Sequence, residues 1–249
     1  MKTAKNISIA LVAVLGLLAL CGTVEGSGPT EGLISHWEFD EGQGSIAYDS
    51  AGSNNGTLVN DTSWATGKVG SYALVFDGDD DYVQIPDSPE LRFSGTQPFS
   101  VALWFKRLVD MPNHEFLLVK GFDGDPENCN YALYILDDDE AIRWMWENNS
   151  GTNYILNSGV STSVGQWYHT VGVWDGTEQI IYVNGVKANS TVPAGAPSSG
   201  NNNPIIIGKI LAGTSPAMYD FNGIIDDVRI YDRALSAEEI KLLYYNGLD

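Results

Sequence analysis

The stretch "NGIIDDVRIYDRALSAEEIKLLY" (Asn222 to Tyr244) contains the residue with the sharpest chemical demand in the chain. Its first half alternates as a strand does, so Ile224, Asp226, Val228 and Ile230 share one face. A carboxylate among aliphatic side chains needs a partner, because an unpaired ion is costly to bury. Two chemistries supply one. A divalent cation would neutralise it, and calcium takes roughly six to eight oxygens from carboxylates, carbonyls and water. The backbone N–H groups of a neighbouring turn would satisfy it equally well. Other acidic stretches invite the same question. "DGDDDY" (Asp77 to Tyr82) reads as a second cation loop or as a solvated acidic turn, and "GFDGDPEN" (Gly121 to Asn128) and "LDDDEA" (Leu136 to Ala141) are alike. None has the spacing of an EF-hand, which needs a bidentate Glu at its twelfth position.

Sugar recognition calls for exposed aromatic faces beside polar groups. "IRWMWE" (Ile142 to Glu147) places Trp144 and Trp146 on one face of a strand and Arg143 and Met145 on the other. Trp144, Trp146, Tyr134 and Arg143 are the candidate glycan-binding residues. The competing use of such aromatics is to fill a sandwich core, as Trp37, Trp104 and Trp167 do given their aliphatic neighbours. Catalytic signals are sparse. A glycosidase needs two carboxylates facing each other across a sugar, and no strand carries such a run. His36, His114 and His169 are scattered, and Cys129 has no activating neighbour.

The elements that position these residues are short. Twelve stretches, β-branched or aromatic and punctuated by Gly, Asn, Asp and Pro, read as strands: 33–39, 72–78, 81–86, 99–107, 115–121, 130–137, 141–147, 153–158, 166–175, 178–185, 203–209 and 223–232. "DGTE" and "VNGVK" mark hairpins. "LSAEEIKLLYY" (Leu235 to Tyr245) reads as a helix, with Ser236 as N-cap and Glu239 completing a capping box. Strands in such number with one helix predict an all-β, two-sheet antiparallel sandwich.

The first two dozen residues stand apart. Lys2 and Lys5 precede the apolar run "ISIALVAVLGLLAL", the layout of a secretory signal, with small residues for cleavage near "ALC" and "VEG". Residues 1–26 are assigned to the signal peptide and the start of a linker, 27–31 to linker, and 32–249 to one domain. Secretion or cell-surface display is the expectation, with a lipid on Cys21 or an uncleaved anchor as alternatives. The 249 residues carry a net charge of −19, which disfavours nucleic acid and anionic membranes as partners. With Cys21 removed, Cys129 has no partner for a disulfide. Asn55, Asn148 and Asn189 head sequons that matter in a host that glycosylates.

Four segments in order carry a resemblance. They are "GLISHWEFDEGQGSIAYDSAGSNNGTL" (Gly32 to Leu58), "ALVFDGDDDYVQIPDSPEL" (Ala73 to Leu91), "WYHTVGVWDGTEQIIYVNG" and the closing "GIIDDVRIYDRALSAEEIKLLY". Together they resemble the LamG-like jelly-roll domains of the concanavalin A-like lectin/glucanase superfamily, over nearly all of residues 32–249. The resemblance implies one concave and one convex sheet, and a structural calcium ion tying the first and last strands. It implies Asp226 as a ligand, with Asp77, the carbonyl of Gly78, and Glu38 or Asp40 beside it. The fold hosts lectins, adhesion modules and glycan-cleaving enzymes alike. A carbohydrate-binding or adhesion module, bound to a glycan or a glycosylated surface protein, is the function expected. A glycoside hydrolase or polysaccharide lyase with a divergent site is the alternative.

Overall fold

The computed structural model describes residues 28–121, 129–198, 202–211 and 219–248. The signal segment, most of "GFDGDPEN" and the centre of the 192–203 loop lie outside the described residues. Strands β1 (Leu33–Trp37), β2 (Ile46–Ala47), β3 (Gly56–Val59), β4 (Ser63–Thr66), β5 (Tyr72–Asp77) and β6 (Tyr82–Ile85) come first. They are followed by β7 (Phe99–Arg107), β8 (Glu115–Lys120), β9 (Tyr131–Ile135), β10 (Ala141–Glu147) and β11 (Asn153–Ser161). Then come β12 (Trp167–Trp174), β13 (Gln179–Val183), β14 (Val186–Thr191), β15 (Ile205–Ile207), β16 (Asn222–Tyr231) and the helix α1 (Ala237–Asn246). One sheet runs β14-β13-β12-β7-β16-β5-β4, with β1 also paired to β16; the other runs β11-β10-β9-β8-β15-β6-β3-β2. Every pairing is antiparallel. The predicted two-sheet jelly-roll sandwich is what the chain builds.

Alternation along β7 shows how the layers form. Val101, Leu103 and Phe105 enter the core between the sheets. Ala102 and Trp104 face the other way, where Ala102 joins Val171, Tyr231, Ile240 and Leu243 under α1 and Trp104 stacks on Tyr244 at 5.6 Å. The helix begins where expected: Ser236 accepts from the Glu239 amide, and Glu239 returns a bond to the Ser236 amide. In the "VNG" hairpin Asn184 and Gly185 both take left-handed φ, 51° and 75°. Four strands lack a counterpart among the predicted ones: β2, β3, β4 and β14. β4 and β14 close the two edges of the first sheet. Their sequences, SWAT and VKANST, are polar and largely exposed, as edge strands that discourage further pairing are.

Trp144 and Trp146 are fully buried between the sheets, which corrects the expectation that they form a sugar platform. Trp144 packs edge-on against Phe99 at 5.6 Å, and Trp146 against Trp174 at 5.3 Å. The opposing β12 makes room with Gly172, where a Cβ would lie 2.3 Å from the Trp144 ring. Alternation had set the tryptophans apart from Arg143 and Met145; the volume of the sandwich decides that the indoles go inside.

β16 has two different partners along one edge. β5 pairs with Asn222 to Ile225, and β1 pairs with Val228 to Tyr231. At the changeover β16 bulges against β7, and Asp227 takes φ 50°. Asp226 sits there, fully buried. Its Oδ2 accepts hydrogen bonds from the Lys68 and Val69 amides at 2.6 and 2.9 Å. In the same loop, the Ser71 and Tyr72 amides donate to Oδ1 of Asp40 at 2.6 and 2.8 Å. Gly70, φ 69°, lies between the two pairs, and a Cβ there would fall 2.1 Å from Asp40. Carboxylates from the opening and closing segments of the domain thus hold one loop by its backbone.

Burial pushes the Asp226 carboxyl up to about 7, with the Val69 and Lys68 amides drawing it back. An unfolded aspartate titrates near ~3.9. Between those values the folded protein holds a proton that the unfolded chain has released, so this contribution to stability falls as pH rises through the window. Melting temperature should therefore decline from pH 5 to pH 8, and Asp226→Asn should flatten the decline. Asp226→Ala should strand two amides and cost about 1–3 kcal/mol, roughly 2–4 °C of melting temperature per kcal/mol. A pH series of thermal melts on the three proteins reads both effects.

Candidate functional site

The split between β5 and β1 opens into adjoining hollows of about 310, 220 and 250 Å3, all lined in part by Glu38. β1 contributes His36, the segment after it Glu38, Asp40 and Glu41, the turn after β2 Tyr48 and Ser50, and β16 Asp227 and Arg229. Backbone strain marks the place. Phe39 takes φ 56° with its ring fully buried, which throws Glu38 and Asp40 on either side of it outward. Phe39 and Asp227 are two of five described non-glycine residues in this left-handed region, a conformation that surrounding structure must enforce. The far wall is organised by Asp49. Its carboxylate accepts from the amides of His36, Ala51, Gly52 and Asn54 at 2.9–3.1 Å. These bonds fix the turn that Asp49, Ser50, Ala51 and Gly52 make.

Asp227 is the electrostatic centre of the floor. It accepts from His36 Nε2 at 2.6 Å and from Arg229 Nη2 at 2.9 Å. Burial alone would raise its carboxyl; the His36 hydrogen bond and the Arg229 charge overcome that and hold it at about 2. His36 Nδ1 in turn lies 3.2 Å from Ser50 Oγ. A Ser–His–Asp series suggests an activated nucleophile. Two features oppose it. Ser50 Oγ also lies 3.1 Å from Glu38 Oε1 and 3.2 Å from the His36 carbonyl oxygen. The Ala51 and Gly52 amides, which would have to hold a developing oxyanion, are already bonded to Asp49. The arrangement is suited to holding a polar ligand.

The five residues expected around calcium do not gather at one point. Asp226 and Asp40 hold amides of the 67–72 loop, and Glu38 lines the hollow. Asp77 lies opposite Asn222 on β16, four residues before Asp226, about 13 Å away at a strand's rise. It belongs to a different group, in which ligand atoms of Asp77, Asp80 and Asp81 come within 4.8 Å of one another, and Gly78 follows it in the chain. Of the four glycan candidates, Tyr134 and Arg143 lie on the outer face of the second sheet, opposite to the tryptophans. Tyr134 stacks on Phe116 at 4.9 Å, and Arg143 is held by Asp139 at 2.8 Å. Both are nearly buried.

Sequence reasoning passed over Asp227, Ser50, Tyr48, Glu41 and Asp49. The doubled acid of "IIDDVRIY" was a signal for Asp227, since two adjacent aspartates within a buried strand require a bulge or two separate partners.

The Laminin_G_3 family model, of the Concanavalin A-like lectin/glucanases superfamily, matches residues 76–241. No curated protein matches the chain. Among solved structures, it is similar to domain 4 of AbnA, a GH43 extracellular arabinanase from Geobacillus stearothermophilus, in complex with arabinotriose. The TM-score is 0.66 at 25% identity, over 85% of this chain and 98% of that one. The binding domain of Paraclostridial Mosquitocidal Protein 1 matches with a TM-score of 0.68 and 17% identity, over 86% of this chain and 52% of that one. A mutant of Trypanosoma rangeli sialidase displaying trans-sialidase activity matches at 0.65 and 17% identity, over 88% of this chain and 33% of that one. At 17% these two likenesses speak for fold alone. The two facing sheets, the closing strand and helix, and the match over residues 76–241 lead to one conclusion: the chain belongs to the concanavalin A-like lectin/glucanases superfamily.

Proposed function

We propose that this protein is a secreted or cell-surface carbohydrate-binding module, an adhesion domain in the broad sense, that takes its glycan in the hollow at the sheet split. The observation that carries the reading is the hollow itself. It sets carboxylates (Glu38, Asp40, Glu41), a hydroxyl (Ser50) and an exposed aromatic ring (Tyr48, 58% exposed) around one concavity. Aromatic rings stack on the C–H face of a sugar while carboxylates accept from its hydroxyls. The likeness to an arabinanase domain solved with arabinotriose supports the same reading. Among the described residues, no helix is long and apolar enough to cross a membrane.

A structural calcium ion belongs to this proposal with a changed ligand set, Asp77, Asp80 and Asp81, joined by the Gly78 carbonyl. Asp81 is 3% exposed and its Oδ1 has no hydrogen bond. Its carboxyl is raised by burial and by the charges of Asp77 and Asp80. A cation would relieve that repulsion.

Titration calorimetry of the purified protein against arabinotriose and a panel of other oligosaccharides tests the glycan reading. Binding that Tyr48→Ala weakens roughly tenfold, on the order of the 1–3 kcal/mol an aromatic stack contributes when a ring lies on a flat ligand, is the expected result. Binding unaffected by Tyr48→Ala would move the site elsewhere. For calcium, thermal melts with the ion and with chelator should differ, by about 2.7 kcal/mol at a hundredfold excess over Kd. Asp80→Asn should abolish the difference while Asp226→Asn leaves it in place.

A further inference from the structure

We propose that the hollow at the sheet split selects uncharged sugars, whose hydroxyls donate hydrogen bonds, and rejects sugars that carry a carboxylate. This inference rests on the carbohydrate-binding reading of the same hollow and adds the class of glycan. Acceptors outnumber free donors at the opening. Among the described residues, each carboxylate at the opening makes its hydrogen bonds through one oxygen and none through the other. Glu38 engages Ser50 through Oε1, Asp40 engages the Ser71 and Tyr72 amides through Oδ1, and Glu41 engages the Tyr48 amide through Oε1. Glu38 Oε2 and Asp40 Oδ2 remain, on residues exposed at the rim, whereas Glu41 Oε2 is shut off from solvent. Ionised carboxylates only accept, so a ligand that brings donors is what these two outward oxygens suit.

The positive groups nearby do not offset this. Arg229 gives Nε and Nη2 to Asp227, and His36 gives Nε2 to the same carboxylate. Both are nearly buried, at 4% and 6% exposed. What faces a ligand is therefore acceptor-rich and negative, whereas sites for anionic sugars present free guanidinium groups in bidentate reach. The net charge of −19 extends the same bias to long range.

The width of the acceptor set argues for an organic ligand over a bare ion. Among the described residues, the three carboxylates whose ligand atoms lie within 4.8 Å of one another are Asp77, Asp80 and Asp81. Glu38, Asp40 and Glu41 are spread more widely. A ring bearing several hydroxyls can reach separated acceptors at once, and Tyr48 stands at the same hollow to receive its apolar face.

The test compares two trisaccharides on the full chain by calorimetry, neutral arabinotriose and anionic trigalacturonate, with sialyllactose as a second anion and cellotriose as a second neutral sugar. The wild type should bind at least one neutral sugar, and bind it tenfold or more tighter than either anion. Glu38→Gln should weaken the neutral sugar three- to tenfold. Glu38→Lys should weaken it further and strengthen trigalacturonate at least tenfold. Glu38 is half exposed, so these variants should keep the wild-type melting temperature, which is checked alongside. Equal or tighter binding of an anion by the wild type, or indifference of both classes to every Glu38 change, overturns the selectivity while leaving carbohydrate binding intact. Failure of every sugar, neutral and anionic, to bind overturns the carbohydrate reading and this inference with it.

Discussion

A buried carboxylate at the point where β16 changes neighbours is the constraint on which the rest of the molecule turns. A strand that trades β5 for β1 along one edge leaves a gap in its hydrogen-bond ladder, and unpaired backbone groups cannot simply be abandoned in an interior. The bulge at Asp226 and Asp227 absorbs the mismatch in register. Asp226 then reaches across the gap to the amides of Lys68 and Val69. Asp40, arriving from the other end of the domain, takes the amides of Ser71 and Tyr72. Peptide N–H groups of one loop thus join the opening and closing segments. Burial raises the Asp226 carboxyl to about 7, and the two amides draw it back.

The hollow is the other face of the same arrangement. Where two strands fail to meet, side chains line the space between them, and those of β1 and β16 are polar here: His36, Asp227 and Arg229. Asp227, held at about 2, anchors His36 and Arg229 and so fixes the floor. The rim comes from the turn that Asp49 organises and from the outward kink at Phe39. A rigid floor with an acceptor-rich rim is preorganised for a ligand that brings donors, and such a site loses little freedom on binding.

How much of this was legible depends on how local each interaction is. The capping box of Ser236 and Glu239 spans three residues and was read directly; so was the hairpin at "VNGVK". β4 and β14 were missed because their roles as edges ask for polarity, and polar alternation looks like a loop. "IRWMWE" showed two faces but not which one is core, since Met145 and the tryptophans are all apolar. The decision comes from Phe99, Gly172 and Trp174 on the facing sheet. Asp226 could be seen to need a partner, but Lys68 lies 158 residues away. It answers through its backbone, and a backbone amide has no signature in a sequence. The calcium set failed to assemble for a related reason: Asp77 and Asp226 belong to the same strand pair but to opposite ends of it.

The loop from Gly67 to Tyr72 is on the surface, yet it has the habits of an interior segment. Surface connections ordinarily drift in length at little cost. Here two carboxylates, one on β16 and one in the segment after β1, meet four amides spaced across five positions, with Gly70 admitting Asp40 between them. One residue added or removed would slide the whole set past both acids at once. An engineer looking for a place to graft a peptide or permute the chain should pass over this turn, however accessible it looks, and choose a hairpin such as "VNG", whose neighbours ask nothing of its backbone beyond its own two strands.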